Sequence, residues 1–220
     1  MEDAKSLLVC YIIDEEIKKK LLDLLRRVVK CLEEIGVEYW LDGGSLLGLY
    51  RHGGIIPWDE DIDLGIRLED EEKLLSSINV FSKYGVGLKR NRTGIYWQVD
   101  NNVGEMSTLL DPSVHIDIFL YEREGDCLYN TDIRFRDSNV SSGHCNMVYD
   151  INFLYPLTPH VLFDGVFVSS PCRVKEILDM NLGGGYMSTA IVKSSLSNAI
   201  FSIDLEDKSI QRLVQRVYHL

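Results

Sequence analysis

Hydrophobic and polar positions at the start of the chain follow the spacing of one long amphipathic helix. Asp14, Glu15 and Glu16 would lie where the helix dipole favours negative charge, and Gly36 is a suitable terminator. Apolar residues recur between them every three or four positions, as on one buried helical face. The pattern predicts a helix over residues 14–35 and then a short buried strand over residues 37–41. The apolar helical positions are Ile17, Leu21, Leu24, Leu25, Val28, Leu32 and Ile35.

The next segment joins a glycine-rich turn to a strand in which acidic and apolar residues alternate. The turn is Asp42-Gly43-Gly44-Ser45, and we expect Ser45 to cap a short helix after it. Ile62, Leu64 and Ile66 then occupy every second position, which is the period of a half-buried strand. This segment therefore predicts a strand, a turn, a helix and a second strand in close succession.

Shorter patterns follow along the rest of the chain. Asp164-Gly165 lies between two apolar runs and is a strong hairpin signal. Residues 121–155 show little periodicity, and we expect mainly loops there. The other predicted elements are a surface helix over 69–78, paired strands over 86–89 and 95–99 with a turn at 91–94, a strand over 115–120, a helix that begins at Ser170-Pro171 and stops at Gly183, and a final amphipathic helix through Ile210, Leu213, Val214 and Val217.

The composition fits one globular domain and argues against two classes of partner. The chain has 220 residues, of which 45% are hydrophobic, enough to bury a sizeable core. A formal net charge of -11 argues against a nucleic-acid surface, because phosphate backbones are bound mainly through Lys and Arg. The longest N-terminal apolar run, Leu7–Ile13, is far shorter than the roughly 20 residues of a membrane span. We expect a soluble protein, and the sequence leaves its compartment open.

Three acidic residues are concentrated at the start of the alternating strand. Asp61 and Asp63 are two positions apart and project from the same face, and Asp59 extends the series. Carboxylates crowded in this way repel each other unless a cation is bound. Their hard oxygen ligands suit Mg²⁺ or Mn²⁺. The sequence predicts a metal site at these residues, with a solvated acidic loop as the alternative.

Two other features point to phosphate chemistry at the same place. Glycines in the turn let the backbone approach a phosphate closely, and the N-terminus of the next helix offers free N–H groups. Asp117 lies on a separate alternating strand and supplies the third carboxylate of a two-metal phosphoryl-transfer site. The alternatives are an ordinary strand-to-helix turn and a surface aspartate. The ordered set favours catalysis by Asp61, Asp63 and Asp117, metal binding by these three with Asp59, and phosphate binding by Gly43, Gly44 and Ser45.

Arg51 and His52 stand between the turn and the acidic strand. Arg51 could neutralise a diphosphate oxygen, and His52 could donate a hydrogen bond to the substrate or steer a leaving group. A surface loop is the alternative for both residues. Trp58 is expected to pack beneath the acidic strand.

The run DGGSLLGLYRHGGIIPWDEDIDLGI, which begins at Asp42, resembles the LicD family of the nucleotidyltransferase-fold superfamily. Ile116-Asp117-Ile118 matches the third acidic strand of that superfamily, and Arg51-His52-Gly53 resembles the fukutin-related branch. The resemblance implies an α/β (α+β) fold, in which a nucleotidyltransferase-like mixed β-sheet core is flanked by helices. Residues 1–220 would form a single catalytic domain, with a core over about 37–186, an N-terminal helix over 14–35 and a C-terminal helical tail.

The same resemblance implies a reaction. The chain would move a substituted phosphate, of the ribitol phosphate or phosphocholine type, from a CDP-linked alcohol to a hydroxyl of a glycan or glycoconjugate, releasing CMP. Asp61 and Asp63 would hold Mg²⁺ or Mn²⁺ across the diphosphate, and Asp117 would help to deprotonate the acceptor. A Golgi compartment would follow if the analogy extends that far.

Two departures from the family pattern leave the substrate open. Trp97-Gln98-Val99 stands where the fukutin-related branch has a basic residue, and residues 101–113 look like an insertion. Two other functions also stay open. One is a nucleotidyltransferase that acts on a small molecule or protein, and the other is a non-catalytic scaffold on the same fold.

Overall fold

A computed structural model gives the fold, and it describes residues 8–9, 11–90, 97–101, 114–132, 147–193 and 200–218. Within these residues, a seven-stranded mixed sheet is accompanied by two separate two-stranded sheets and by helices. The helices are α1 (Glu15–Ile35), α2 (Gly43–His52), α3 (Glu71–Ser76), α4 (Ile78–Lys83), α5 (Ile151–Leu154), α6 (Val174–Leu182) and α7 (Lys208–Tyr218), with a 3₁₀ turn at Leu68–Asp70. The strands are β1 (Tyr39–Leu41), β2 (Asp61–Arg67), β3 (Gly87–Arg90), β4 (Trp97–Asp100), β5 (His115–Glu124), β6 (Cys127–Asn130), β7 (Val148–Asp150), β8 (Thr158–Phe163), β9 (Val166–Ser170), β10 (Thr189–Lys193) and β11 (Ile200–Asp204).

The main sheet has the strand order β1-β2-β5-β4-β3, with β6 and β7 added beside the second half of β5. Strands β2 and β5 run parallel, and the other pairs in this sheet are antiparallel. The chain leaves β2, crosses α3, α4, β3 and β4, and returns as β5 beside it. This return brings Asp61 and Asp63 of β2 next to Asp117 of β5, which is distant in sequence. The predicted mixed α/β architecture is confirmed.

Helix α1 has the boundaries that its sequence predicts. Asp14 Oδ1 accepts a hydrogen bond from the backbone N–H of Ile17 at 2.8 Å, and Gly36 ends the helix in the left-handed region at φ 63°. The apolar face of α1 joins the same core as the apolar side chains of β2, and Ile62, Leu64 and Ile66 are fully buried there. This core fixes the strand that carries Asp61 and Asp63.

Helix α2 begins earlier than predicted. Asp42 is its N-cap, and Ser45 lies inside the first turn of the helix, so the prediction that Ser45 caps it is wrong. The Asp42 carboxylate accepts a hydrogen bond from Gly43 N, while Ser45 Oγ accepts one from the backbone N–H of Asp63 at 2.9 Å. The serine therefore ties the start of α2 to β2 rather than capping the helix.

Two predicted helices differ from the structure. The surface helix over 69–78 is broken into α3 and α4 at Ser77, next to Ser76, whose hydroxyl donates to the Lys73 carbonyl and competes with the backbone. The helix predicted from Ser170 starts only at Val174, because Ser170 remains in β9. A residue before proline favours extended backbone. Gly183 ends this helix as expected.

The described parts of the range 121–155, residues 121–132 and 147–155, contain more regular structure than their weak periodicity indicates. Strand β5 continues to Glu124, a turn at Gly125 leads into β6, and β7 and α5 follow after residues 133–146, which lie outside the described part. Glu122, Arg123 and Glu124 are all exposed, so this strand end lacks the alternation on which the prediction relied.

The predicted strand pair is confirmed as β3–β4, and the hairpin at Asp164-Gly165 as β8–β9. Of the ranges predicted for the pair, 86–89 and 95–99, residues 95–96 lie outside the described part. The turn predicted at 91–94 lies outside the described residues. The C-terminal tail contains the β10–β11 hairpin before α7, so it is not purely helical. Trp58 is buried in a second hydrophobic cluster with Val192 and Ile203 of that hairpin. Among the described residues, no helix has the length and apolar character that crossing a bilayer requires.

Candidate active site

The register of β2 and β5 places four polar side chains in a two-by-two array. Asp61 lies opposite His115, and Asp63 lies opposite Asp117, in directly neighbouring parallel strands. Alternate residues of a strand project from one face, so all four side chains share a face of the sheet. Asp117 thus lies beside the acidic strand and faces the same way.

Ligand atoms of Asp61, His115 and Asp117 all lie within 4.8 Å of one another. His115 Nε2 is 3.7 Å from Asp61 Oδ2 and 3.6 Å from Asp117 Oδ1. On the other side of β5, Gln98 of β4 donates from Nε2 to Asp117 Oδ1 at 2.9 Å. The Asp117 side chain is only 7% exposed, so this hydrogen bond orients a nearly buried carboxylate.

The start of α2 packs directly against this array. Gly44 N donates to Asp63 Oδ2 at 2.9 Å. A Cβ added to Gly43 would lie 2.7 Å from Asp63 Oδ2, and one added to Gly44 would lie 2.7 Å from Asp59 Oδ2. A side chain at either position would have to displace a carboxylate, and Gly43 also has a positive φ of 45°, which favours glycine. The positive end of the helix dipole meets the carboxylates. The predicted binding of phosphate by Gly43 and Gly44 stays a prediction.

Crowding of the carboxylates changes their ionisation. The pKa of Asp63 is raised well above its usual range by burial, and then by repulsion from Asp61, Asp59 and Asp117. The pKa of Asp59 is likewise raised by burial and by Asp61. Like charges this close are stabilised by a cation that binds between them. The donor set therefore fits a hard divalent metal ion.

Arg51 and His52 lie at the opposite end of α2 from the glycines. Arg51 donates from Nη1 to the Tyr186 carbonyl at 2.9 Å and from Nε to His52 Nε2 at 2.9 Å, and its guanidinium lies over the Trp58 ring. Burial, and then Arg51, lowers the pKa of His52 to about 3, so His52 is neutral at physiological pH. The positive charge of Arg51 also opposes the rise in the pKa of Asp59.

The family model described as "LicD/FKTN/FKRP, nucleotidyltransferase domain" matches residues 36–173, more than half of the chain. The chain belongs to the LicD family. Mouse (Mus musculus) ribitol 5-phosphate transferase FKRP is 32% identical over 170 residues, 76% of this LicD-family chain and 32% of the relative. Mouse ribitol-5-phosphate transferase FKTN is 29% identical over 189 residues, 83% of this chain and 37% of the relative. The expected likeness to the fukutin-related branch is confirmed.

Other similar proteins match over a shorter length or with lower identity. Lipopolysaccharide cholinephosphotransferase LicD of Haemophilus influenzae is 40% identical over 43 residues, 20% of this chain and 16% of the relative. Among solved structures, the lincosamide antibiotic adenylyltransferase LnuA matches with a TM-score of 0.41 and 12% identity, covering 94% of this chain and 98% of that one. The LicD-family chain spans about a third of the length of the mouse relatives.

Two residues of the LicD-family site were not predicted as site residues from the sequence. His115 precedes Asp117 by two positions on an alternating strand, so strand periodicity alone would have placed it on the same face. Gln98 gave no such signal, because its contact with Asp117 depends on the β4–β5 register.

The buried carboxylate of Asp42 supports the start of α2, next to the LicD-family site. It accepts hydrogen bonds from the hydroxyls of Tyr121, at 2.6 Å, and Tyr149. Burial raises the pKa of Asp42 from 3.8 to about 6, although the two tyrosines and Gly43 N oppose the rise. The start of α2 therefore rests on a fully buried acid that can ionise near neutral pH.

We expect Asp42→Asn to remove a pH dependence of stability. Because the pKa of Asp42 is higher in the folded protein than in the unfolded chain, protonation of Asp42 stabilises the fold fully below about pH 3.8. This contribution is lost as the pH rises through about 6. The difference between the two pKa values corresponds to about 3 kcal/mol in the free energy of unfolding. Urea unfolding of both proteins between about pH 4 and 7.5 should show the stability of the wild type falling relative to that of Asp42→Asn. A constant difference across this range would contradict the assignment.

The tip of the β8–β9 hairpin holds the loop that leads into the acidic strand. Asp164 Oδ2 accepts a hydrogen bond from Ile55 N at 2.7 Å, and Asp164 N donates to the Gly53 carbonyl at 3.1 Å. Lys18 of α1 forms an ion pair with Asp164 Oδ1 at 3.0 Å. The hairpin tip, itself paired with α1, thus holds residues 53–55, just before Asp59.

A cavity of about 720 Å³ lies away from the carboxylates, by the C-terminal ends of β2 and β5. Its lining includes Arg67, Arg123 and Tyr155. Its lining includes none of Asp59, Asp61, Asp63 and Asp117. The clustered ligand atoms, rather than the cavity, indicate where the chemistry occurs.

Proposed function

We propose that this chain is a metal-dependent phosphotransferase that moves a substituted phosphate, of the ribitol phosphate or phosphocholine type, from a CDP-linked alcohol to a glycan hydroxyl, releasing CMP. The observation that carries the proposal is the two-by-two array of Asp61, Asp63, His115 and Asp117 in a LicD-family domain. The similarity to ribitol phosphate transferases and to a cholinephosphotransferase supports the class of group that is moved.

In this proposal, Asp61, Asp63 and Asp117 hold Mg²⁺ or Mn²⁺, with Asp59 at the edge of the set. A bound cation would neutralise charge on the diphosphate and on the departing CMP. The acceptor oxygen attacks phosphorus in line, a new P–O bond forms, and the bond from phosphorus to the bridging oxygen of CMP breaks. Asp117, oriented by Gln98, accepts the proton of the acceptor hydroxyl. Arg51 at the rim offsets remaining negative charge.

The test is a product analysis with purified protein and labelled donors. CDP-ribitol and CDP-choline are each incubated with a glycan acceptor panel and Mn²⁺ or Mg²⁺, and CMP and the modified glycan are measured by mass spectrometry. We expect CMP release coupled to alcohol-phosphate transfer, and loss of both in chelator with recovery when the metal is restored. Full activity in chelator would contradict the metal-dependent mechanism.

A nucleotidyltransferase reaction is the second candidate, because the matching family model is described as a nucleotidyltransferase domain. The same carboxylates would serve, but attack would occur at the α-phosphorus of a nucleoside triphosphate. Pyrophosphate release from labelled triphosphates, without CMP release from CDP-alcohols, would favour this candidate. Titration calorimetry that detects no Mg²⁺ or Mn²⁺ binding, with or without CDP, would instead favour a non-catalytic scaffold.

A further inference from the structure

His115 lies among the carboxylates, at distances from them that are too long for hydrogen bonds. Its Nε2 lies 3.7 Å from Asp61 Oδ2 and 3.6 Å from Asp117 Oδ1, while hydrogen bonds from nitrogen to oxygen span about 2.7–3.2 Å. The nitrogen is almost equidistant from the two oxygens and bonds closely to neither. Its side chain is 22% exposed, so it is neither fully solvated nor enclosed in the core.

The spacing matches that of atoms that share a metal ion. With metal–ligand bonds of about 2.1 Å, neighbouring ligands of an octahedral ion are about 3.0 Å apart and opposite ligands about 4.2 Å apart. The two distances from His115 Nε2 fall between these limits. Asp61, His115 and Asp117 together form a group that could hold a metal ion. The backbone register that sets these positions follows from the β2–β5 pairing.

We propose that His115 is a nitrogen ligand of the metal held by Asp61 and Asp117, and that the site therefore prefers a first-row transition ion, such as Mn²⁺, to Mg²⁺. Imidazole suits transition ions, whereas Mg²⁺ is bound almost entirely through oxygen. Asp63, which accepts from Gly44 N, is drawn toward α2 and completes the oxygen side of the site. The inference rests on the proposed metal-dependent function and names the ion that this function uses.

Pulsed electron paramagnetic resonance of Mn²⁺ bound to the untagged protein tests the ligand directly. We expect nitrogen modulation from a coordinated imidazole in the wild type and its loss in His115→Asn. The matched control is His160→Asn, which changes an exposed histidine on the β8–β9 hairpin and should keep the modulation. Absence of modulation in the wild type, or its persistence in His115→Asn, would overturn the proposal.

Titration calorimetry with Mn²⁺ and Mg²⁺ alone tests the preference. We expect the wild type to bind Mn²⁺ at least about tenfold more tightly than Mg²⁺. His115→Phe, which has no ligand atom, should lose about tenfold or more in Mn²⁺ affinity, and His115→Asn, which offers oxygen, should bind the two ions with similar affinity. If His115 is instead a cation paired with the carboxylates, its removal would tighten the binding of both ions, which would overturn the proposal.

These outcomes are separable from failure of the proposed function. If Mn²⁺ binds without a nitrogen ligand while CMP release still needs metal, only the inference about His115 is wrong. If neither ion binds, the metal-dependent function and the inference fail together.

Discussion

Asp61→Asn is expected to lower the rate of CMP release by at least about a thousandfold and, at the same time, to stabilise the metal-free protein. Asp61 is one of the three residues whose ligand atoms cluster, so losing its charge weakens the metal site at its centre. The same charge raises the pKa of both Asp59 and Asp63. Removing it relieves repulsion that Arg51 only partly offsets when metal is absent.

Because the Asp61 side chain is 32% exposed, solvent screens this repulsion, and we expect a gain of only about 1 kcal/mol in chelator. With saturating Mn²⁺ the wild type should instead be more stable than Asp61→Asn, since a ligand that binds only the folded state stabilises it. The measurements are initial rates and urea unfolding in both conditions. Glu72→Gln, on an exposed position of α3, removes one charge far from the cluster and should change neither quantity. A variant with near-normal turnover, or one that is less stable in chelator, would contradict the site.

Strand periodicity was enough to place the acidic residues on one face, but not to show what holds them. Asp61, Asp63 and Asp117 follow from alternation within two strands, and the family resemblance implied that they share one site. The parallel pairing of β2 with β5, which brings them together, was not predicted. The close approach of α2 depends on side-chain geometry that sequence does not contain. Phosphate binding by Gly43 and Gly44 stays a prediction, and the sequence did not show that carboxylate oxygens of Asp63 and Asp59 lie beside these glycines.

Buried polar contacts account for most of the remaining differences between the predictions from sequence and the structure. The sequence indicates a turn that starts at Asp42, whereas Asp42 caps α2 and accepts hydrogen bonds from two tyrosines that lie 79 and 107 positions later. Such contacts join elements that are distant in sequence and leave no periodic trace. Short motifs that require one particular backbone conformation predicted the structure more accurately. The Asp164-Gly165 hairpin and the end of α1 at Gly36 are examples.

Gly65→Ala is expected to destabilise the protein by about 3 kcal/mol or more, which lowers the melting temperature by roughly 6–12 °C. Gly65 follows Asp61 and Asp63 on the acidic face of β2 and lies opposite Trp40 of β1. A Cβ added there would lie 2.4 Å from Trp40 Cε2 and 2.5 Å from its Nε1. The Trp40 ring is fully buried and packs on Tyr121 and Tyr149, with ring centroids 5.3 and 5.6 Å away, so it has no room to move aside.

Two further variants separate this clash from a general preference for glycine in the strand. Gly184→Ala adds a Cβ that meets nothing within 4 Å, and it should change stability by less than about 0.5 kcal/mol. Trp40→Phe removes the ring atoms that the new Cβ would strike, so the double variant Trp40→Phe with Gly65→Ala should be more stable than the sum of the single effects predicts. The measurement is thermal and urea unfolding of all four variants. Additive losses would show that the two side chains do not compete for this space, and the tryptophan would then have no part in requiring glycine beside the carboxylates.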